Sequence, residues 1–203
     1  MQFRRTILSI IILAFYSCNS YSATVLLNGD FENGNLEPWF QGIGSLDYSH
    51  DHYWHVTSNM SFSGNYSITN NGNNEIRQDF DPISTSLISE ISFYMLKDVN
   101  APETAIQFHY SDGFREQIII STSGVNTWDY FDIHSQLDIN KELTGISFFG
   151  TRTSTQDGIN LYLDNVNVIA TPLPPSLLLF ISPLITYFAF GFTRKKHSID
   201  NKT

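Results

Sequence analysis

The chain is poor in the residues that most often staple a fold or catalyse a reaction. It has one cysteine in 203 residues, Cys18, and that residue lies just after an N-terminal apolar run. The region beyond it therefore cannot rely on a disulfide, and roughly 150 residues bury enough core to fold without one. Basic residues are also scarce. Six of the eleven (Arg4, Arg5, Arg194, Lys195, Lys196, Lys202) lie near the ends, and Ala23 to Ala170 holds 19 acidic against 5 basic residues, a net of −14. A surface this acidic repels phosphate backbones and anionic lipid, which argues against nucleic acid as a partner. It suits a solvated extracellular domain, a cation site or a neutral partner. Catalytic signatures are missing too. There is no Gly-x-Ser-x-Gly elbow, no His-Glu-x-x-His, no phosphate-cradling glycine loop and no cysteine nucleophile after Cys18. A pair of glycosidase carboxylates is not excluded by counting alone.

Long hydrophobic runs occur only at the two ends. Met1 to Arg5 carries two arginines, and Thr6 to Tyr16 is apolar over about the length of a signal-peptide core. It is short for a bilayer span. Ser20-Tyr21-Ser22 before Ala23 satisfies the small-x-small rule for cleavage, so residues 1–22 are expected to be a signal peptide. The competing reading is a lipoprotein signal with Cys18 as the lipidated residue, although Phe15 and Tyr16 stand where such signals prefer small or aliphatic residues.

At the other end, residues 171–176 (Thr-Pro-Leu-Pro-Pro-Ser) break regular structure. Leu177 to Phe192 is apolar all round, about 24 Å long as a helix and thus marginal for a full span. The expectation is a transmembrane helix over 177–193, then a basic tail over 194–203 with Arg194, Lys195 and Lys196 kept cytoplasmic. The layout resembles the bacterial PEP-CTERM sorting signal in a Pro-Leu-Pro variant, with Pro172, Pro174 and Pro175 as the motif. That resemblance implies export across the inner membrane and membrane anchoring before processing by an exosortase-type protease. The protein would then reach the cell surface or the extracellular matrix, often alongside exopolysaccharide. Two departures are the missing glutamate in the motif and the seven residues, His197 to Thr203, after the basic cluster. A plain C-terminal anchor is the alternative.

Between the ends no repeat and no long 3.6-residue pattern appears. Short β-rich runs alternate with Gly, Asn, Asp and Ser clusters: Tyr66–Thr69, Glu75–Phe80, Ile91–Leu96, Ala105–Tyr110, Arg115–Ser121, Trp128–His134, Gly145–Thr151 and Ile159–Ile169. In the last run Leu161 and Leu163 alternate with Tyr162 and Asp164, giving one apolar face, and Asp112-Gly113 signals a tight hairpin. Residues 23–170 therefore read as one all-β domain, a sandwich or jelly roll.

Five short motifs in order resemble a family. Asn28-Gly29-Asp30-Phe31-Glu32-x-Gly34 followed by Pro38-Trp39 is similar to the opening strand of carbohydrate-binding-module-like, galactose-binding-like jelly rolls. Ser63 to Ile68, Ile76 to Phe80, Trp128 to Ile133 and Tyr162 to Val166 are similar to later strands of the same family. The resemblance implies a single jelly-roll β-sandwich, with Trp39 and Trp128 in its core. It also implies a structural calcium (Ca2+) between first and last strands, held by the side chains of Glu32 and Asp164 with backbone carbonyls near Asn28 or Asp30 completing the shell. Calcium takes six to eight oxygens, so two carboxylates from distant sequence would share it.

The segment Tyr48 to His55 holds three histidines and an aspartate within six residues, His50, Asp51, His52 and His55. These are competent transition-metal ligands, but no distant partner set stands out. The flat rings of Tyr53 and Trp54, with His52 beside them, could instead stack on and hydrogen-bond a sugar. The competing reading makes Trp54 a core residue. Taken together, the residues point to a non-catalytic surface or matrix protein with a glycan-binding sandwich. The alternatives are a structural or protein-interaction protein without a small ligand, and a polysaccharide-modifying enzyme.

Overall fold

The alternation of apolar and polar residues along the middle of the chain folds into two antiparallel sheets, seen in a computed structural model that describes residues 22–42, 53–72, 74–98, 103–151 and 160–171. Ala23–Ala170 packs as one compact unit. Its strands are β1 (Ala23–Thr24), β2 (Phe40–Gly42), β3 (His55–Thr57), β4 (Ser67–Asn70), β5 (Glu75–Ser84) and β6 (Ile88–Lys97). They continue with β7 (Thr104–Tyr110), β8 (Arg115–Ile120), β9 (Asp129–Asp132), β10 (Glu142–Thr151) and β11 (Leu161–Ala170). One sheet runs β3-β4-β11-β6-β9 with β1 also on β11, and the other runs β2-β5-β10-β7-β8. The expected sandwich is present. The expected leader, proline motif, transmembrane helix and basic tail lie outside the described residues, and among the described residues no helix is long and apolar enough to cross a membrane.

The core follows from strand period two. Ile76 on β5, Ile106 and Phe108 on β7, and Ile146 and Phe148 on β10 face inward from one sheet. Ile91, Phe93 and Met95 on β6 and Leu161 and Leu163 on β11 meet them from the other. A chain of rings runs Phe31–Trp39–Phe148–Phe93–Phe131, with successive centroids 5.1 to 6.3 Å apart. Burial of each large side chain stabilises by about 1.5–3 kcal/mol. In β11 a bulge at Asn165 (φ 50°) inserts one residue, so Val166 and Val168 return to the core after Leu163.

Two expectations are corrected. The Asn28–Gly34 motif is a loop rather than a strand, with Asn28 and Phe31 at positive φ (49° and 57°). Its backbone is satisfied by side chains in place of a ladder. Gln78 of β5 accepts from Leu27 N at 2.8 Å and donates to Leu27 O at 2.9 Å, while Asn28 Nδ2 donates to the carbonyls of Asn35 and Glu37 at 2.9 Å. Trp39 is in the core as expected, but Trp128 stands on the outer side of β9, edge-on to Phe62 at 6.1 Å. The Asp112-Gly113 hairpin forms with Gly113 at φ 81°. Lys141 Nζ caps it, 3.6 Å from the Phe114 ring centroid and 3.3 Å from Asp112 Oδ2.

Candidate functional site

Each residue facing outward from the five-stranded sheet can be read from the strand registers. Gly145 pairs with Asp79 and with His109, and His109 pairs with Arg115. This makes one row across the sheet, Asp79–Gly145–His109–Arg115. One step along, Phe40 pairs with Arg77, Arg77 with Ser147, Ser147 with Gln107, and Gln107 with Gln117. The second row is therefore Phe40–Arg77–Ser147–Gln107–Gln117, one residue from each of the five strands. Strands spaced about 4.8 Å apart make it about 19 Å long, the reach of a short oligosaccharide.

The floor of this face is a bonded polar cluster. Ser147 Oγ donates to Glu75 Oε1, and the His109 Nε2–H donates to Ser147 Oγ at 2.5 Å. His109 is only 3 % exposed and Ser147 is fully buried. Burial, then the charges of Arg77 and Arg115, push the imidazole pKa down to about 4, with Asp79 opposing them. It is neutral at pH 7, so its 3.7 Å approach to Glu75 is bridged by the serine and is no ion pair. The arrangement does not activate a nucleophile. The serine proton points to the carboxylate, and the imidazole acts as donor, not base.

Above that floor the donors and rings are free. Arg77 is tied at Nε to Asp79 Oδ1 (2.6 Å) and lies over the Phe40 ring at 5.6 Å. Phe40 is 45 % exposed, which leaves ring surface for a partner. The side-chain amides of half-buried Gln107 and exposed Gln117 make no hydrogen bond with other described residues. An aromatic ring at one end of a row and unpaired amides at the other, about 14 Å away at about 4.8 Å per strand, is chemistry that can stack on one sugar of a chain and bond the hydroxyls of another. None of these residues was singled out in the sequence. The register that aligns them crosses strands 100 residues apart, and only the strand alternation of Gln107/His109 and Arg115/Gln117 hints at it.

Of the sugar-binding residues expected from sequence, Trp54 is corrected: it is 1 % exposed, with Nε1 donating to Asn74 O at 2.8 Å, so neither ring face is open. Tyr53 stands at the surface, 36 % exposed. His52, like His50 and Asp51, lies outside the described residues.

The expected calcium residues come together around the loop 61–66. Asp164 Oδ2 accepts Phe62 N (2.8 Å) and Ser63 N (3.2 Å), and its Oδ1 accepts Asn165 N at 2.7 Å. Glu32 Oε1 accepts Asn65 N and Tyr66 N, both at 2.8 Å. These amides hold the Glu32 pKa below the usual carboxylate value, Tyr66 N–H most strongly. Asp164 is pushed up, first by complete burial and further by the charge of Glu32. Asp30 is exposed and only accepts Glu32 N at 3.4 Å. Among the described residues no group of three His, Cys, Asp or Glu side chains is placed to hold a metal. The donor set fits a cation in part: Asp164 Oδ1 already accepts Asn165 N and Glu32 Oε2 accepts Asn65 Nδ2 at 3.3 Å, so each carboxylate would offer a remaining lone pair and backbone oxygens would have to supply the rest.

The outer side of the six-stranded sheet carries a different feature, also missed in the sequence. Phe62 stacks on Tyr94 at 3.5 Å, Tyr94 meets Tyr130 at 5.2 Å, and Trp128 meets Phe62, leaving Phe62 40 % and Tyr130 53 % exposed.

No protein-family model matches the sequence, and no curated protein sequence matches it. Solved structures do match in three dimensions. TmCBM61, a module solved in complex with β-1,4-galactotriose, aligns with TM-score 0.53 at 15 % identity, over 73 % of this chain and 99 % of that one. A family 16 carbohydrate-binding module aligns with TM-score 0.50 at 12 % identity, over 71 % of this chain and 98 % of the other. The tandem CBM22 region of Paenibacillus barcinonensis Xyn10C gives 0.50 at 17 % identity, over 73 % of this chain and 51 % of the tandem. At these identities the likeness establishes the fold: the domain is a β-sandwich of the kind found in carbohydrate-binding modules.

Proposed function

We propose that the domain is a non-catalytic glycan-binding module, and that its ligand lies along the row Phe40–Arg77–Ser147–Gln107–Gln117. The observation that carries this reading is the row itself: one exposed ring and two unpaired amides aligned across five strands, on a sandwich shaped like those modules. Export, exosortase sorting through Pro172, Pro174, Pro175 and the basic cluster, and display at the cell surface or in a matrix belong to the same proposal. They rest on the sequence layout alone. A bound calcium would be held by Glu32 and Asp164 and would neutralise a buried carboxylate that has no cationic partner among the described residues.

The test is a glycan-array screen of the full chain in detergent, with calcium and with chelator, followed by the double variant Gln107→Ala/Gln117→Ala. The expected result is binding that falls about tenfold or more in the variant while its melting temperature stays within a few degrees. Binding unaffected by the double variant would remove the row as the site. A second reading, a protein-interaction surface, is favoured by the Phe62–Tyr94–Trp128–Tyr130 patch. Binding that is lost in Tyr130→Ala and unaffected by the glutamine variants would select it.

A further inference from the structure

The four basic residues described in the sandwich are not equivalent. Arg77 pairs with Asp79, and Lys141 pairs with Asp112 across the rings of Tyr110 and Phe114. Lys97 is buried, 1 % exposed, and has a partner of its own. Arg115 is the exception among the described residues: it is exposed, and its guanidinium makes no ion pair and no hydrogen bond. It sits at the β8 end of the row Asp79–Gly145–His109–Arg115, directly across from buried His109 and one strand step from Gln117. In a domain with 19 acidic residues an unneutralised cation is conspicuous, and this one faces the same side as the proposed glycan row.

A guanidinium fork with open N–H groups matches a carboxylate in two parallel hydrogen bonds. The free Gln117 amide beside it adds an uncharged donor and acceptor for the rest of the same sugar. The net charge of −14 between Ala23 and Ala170 sets the opposite limit. A densely charged polyanion would place many carboxylates within a Debye length, about 8 Å, of that acidic surface and be repelled. One open arginine on a repelling surface selects a single carboxylate on an otherwise neutral chain.

We propose that the glycan taken by this face carries sparse carboxylates, as uronic-acid residues on a mainly neutral backbone, and that Arg115 receives one of them. The inference rests on the glycan-binding reading above and sharpens its ligand class. Arg115 acts at the edge of the site, next to the row that binds the backbone.

The experiment is titration calorimetry of the full chain with matched oligosaccharides in which one residue is glucose or glucuronate, or galactose or galacturonate, with polygalacturonate as a third arm. The expected result is about tenfold tighter binding of the singly acidic member of a pair. That preference should disappear in Arg115→Gln, a substitution at an exposed position that leaves no buried group unpaired. Equal affinity for the neutral and acidic members would overturn the inference and leave the glycan-binding reading standing. Tightest binding to polygalacturonate would overturn it as well, as would a preference that survives Arg115→Gln. Failure of the folded protein to bind any oligosaccharide would instead remove the reading on which it rests.

Discussion

Glu32 and Asp164 spend their oxygens mainly on backbone N–H groups of the loop 61–66, whereas the side chains of Gln107, Gln117 and Arg115 make no hydrogen bond or ion pair among the described residues. Both groups are polar side chains of the same sandwich. In the first, removing a side chain orphans amides that have no other partner, so the cost falls on the fold. In the second, removal costs the fold almost nothing, so those residues are free for a ligand. The contrast separates polar side chains that the fold consumes from those it leaves open, without any appeal to which residue types are involved.

The comparison breaks most visibly at the glycines that let the loops close. A Cβ on Gly29 would collide with the Val166 carbonyl, whose residue is bonded to Gly29 O through Val166 N at 2.8 Å. Gly64, at φ 64°, lies against the Glu32 carboxylate with no room for a side chain. Gly29→Ala is expected to cost about 3 kcal/mol or more, and Gly64→Ala somewhat less, as read by chemical denaturation. A Gly29→Ala protein as stable as the parent would show that the opening loop does not dock on β11 as described.

How much of this was legible beforehand follows from what sequence patterns encode. The long strands β5, β6, β7, β8, β10 and β11 show in the alternation of β-branched and aromatic residues, because each buries one face. The short strands β1, β2 and β3 are two or three residues long and carry no period, so they were invisible. The motif Asn28–Gly34 marked the right place and the wrong conformation. Its spacing serves side-chain-to-backbone bonds, which propensity does not report. Trp54 drew attention as a flat ring in a polar segment, yet a tryptophan with a backbone carbonyl for its N–H is content in a core. The polar row was unreadable because each member is an ordinary strand residue, and only register aligns them.

A smaller effect separates the buried floor on the outer side of the five-stranded sheet from the open donors beside it. His109 has its pKa pushed down to about 4 from an ordinary 6.5, so the unfolded chain takes up a proton first as pH falls. The native state therefore loses stability between pH 6.5 and 4, by up to about 3 kcal/mol at the low end, and keeps it above pH 6.5. His109→Gln, which retains a donor toward Ser147, should flatten that part of the stability profile measured by urea denaturation across pH 4 to 7. An unchanged acid slope would mean that His109 titrates normally and that the polar floor is wetter than its 3 % exposure indicates.

The smallest effect sharpens the comparison from the structural side, through calcium. The loop 61–66 is already held by four backbone N–H bonds to Glu32 and Asp164, so a cation there would add to a clamp that forms without it. What it would relieve is the repulsion between the two carboxylates, felt by buried Asp164. Saturating calcium is expected to raise the melting temperature of the full chain by a few degrees over chelator. In Glu32→Gln the amide oxygen still accepts the Asn65 and Tyr66 N–H groups but no longer offers a charge, so the clamp persists and the calcium response should vanish. A parent protein indifferent to calcium would leave Glu32 and Asp164 as hydrogen-bond acceptors alone. A response that survives Glu32→Gln would place the ion elsewhere in the chain.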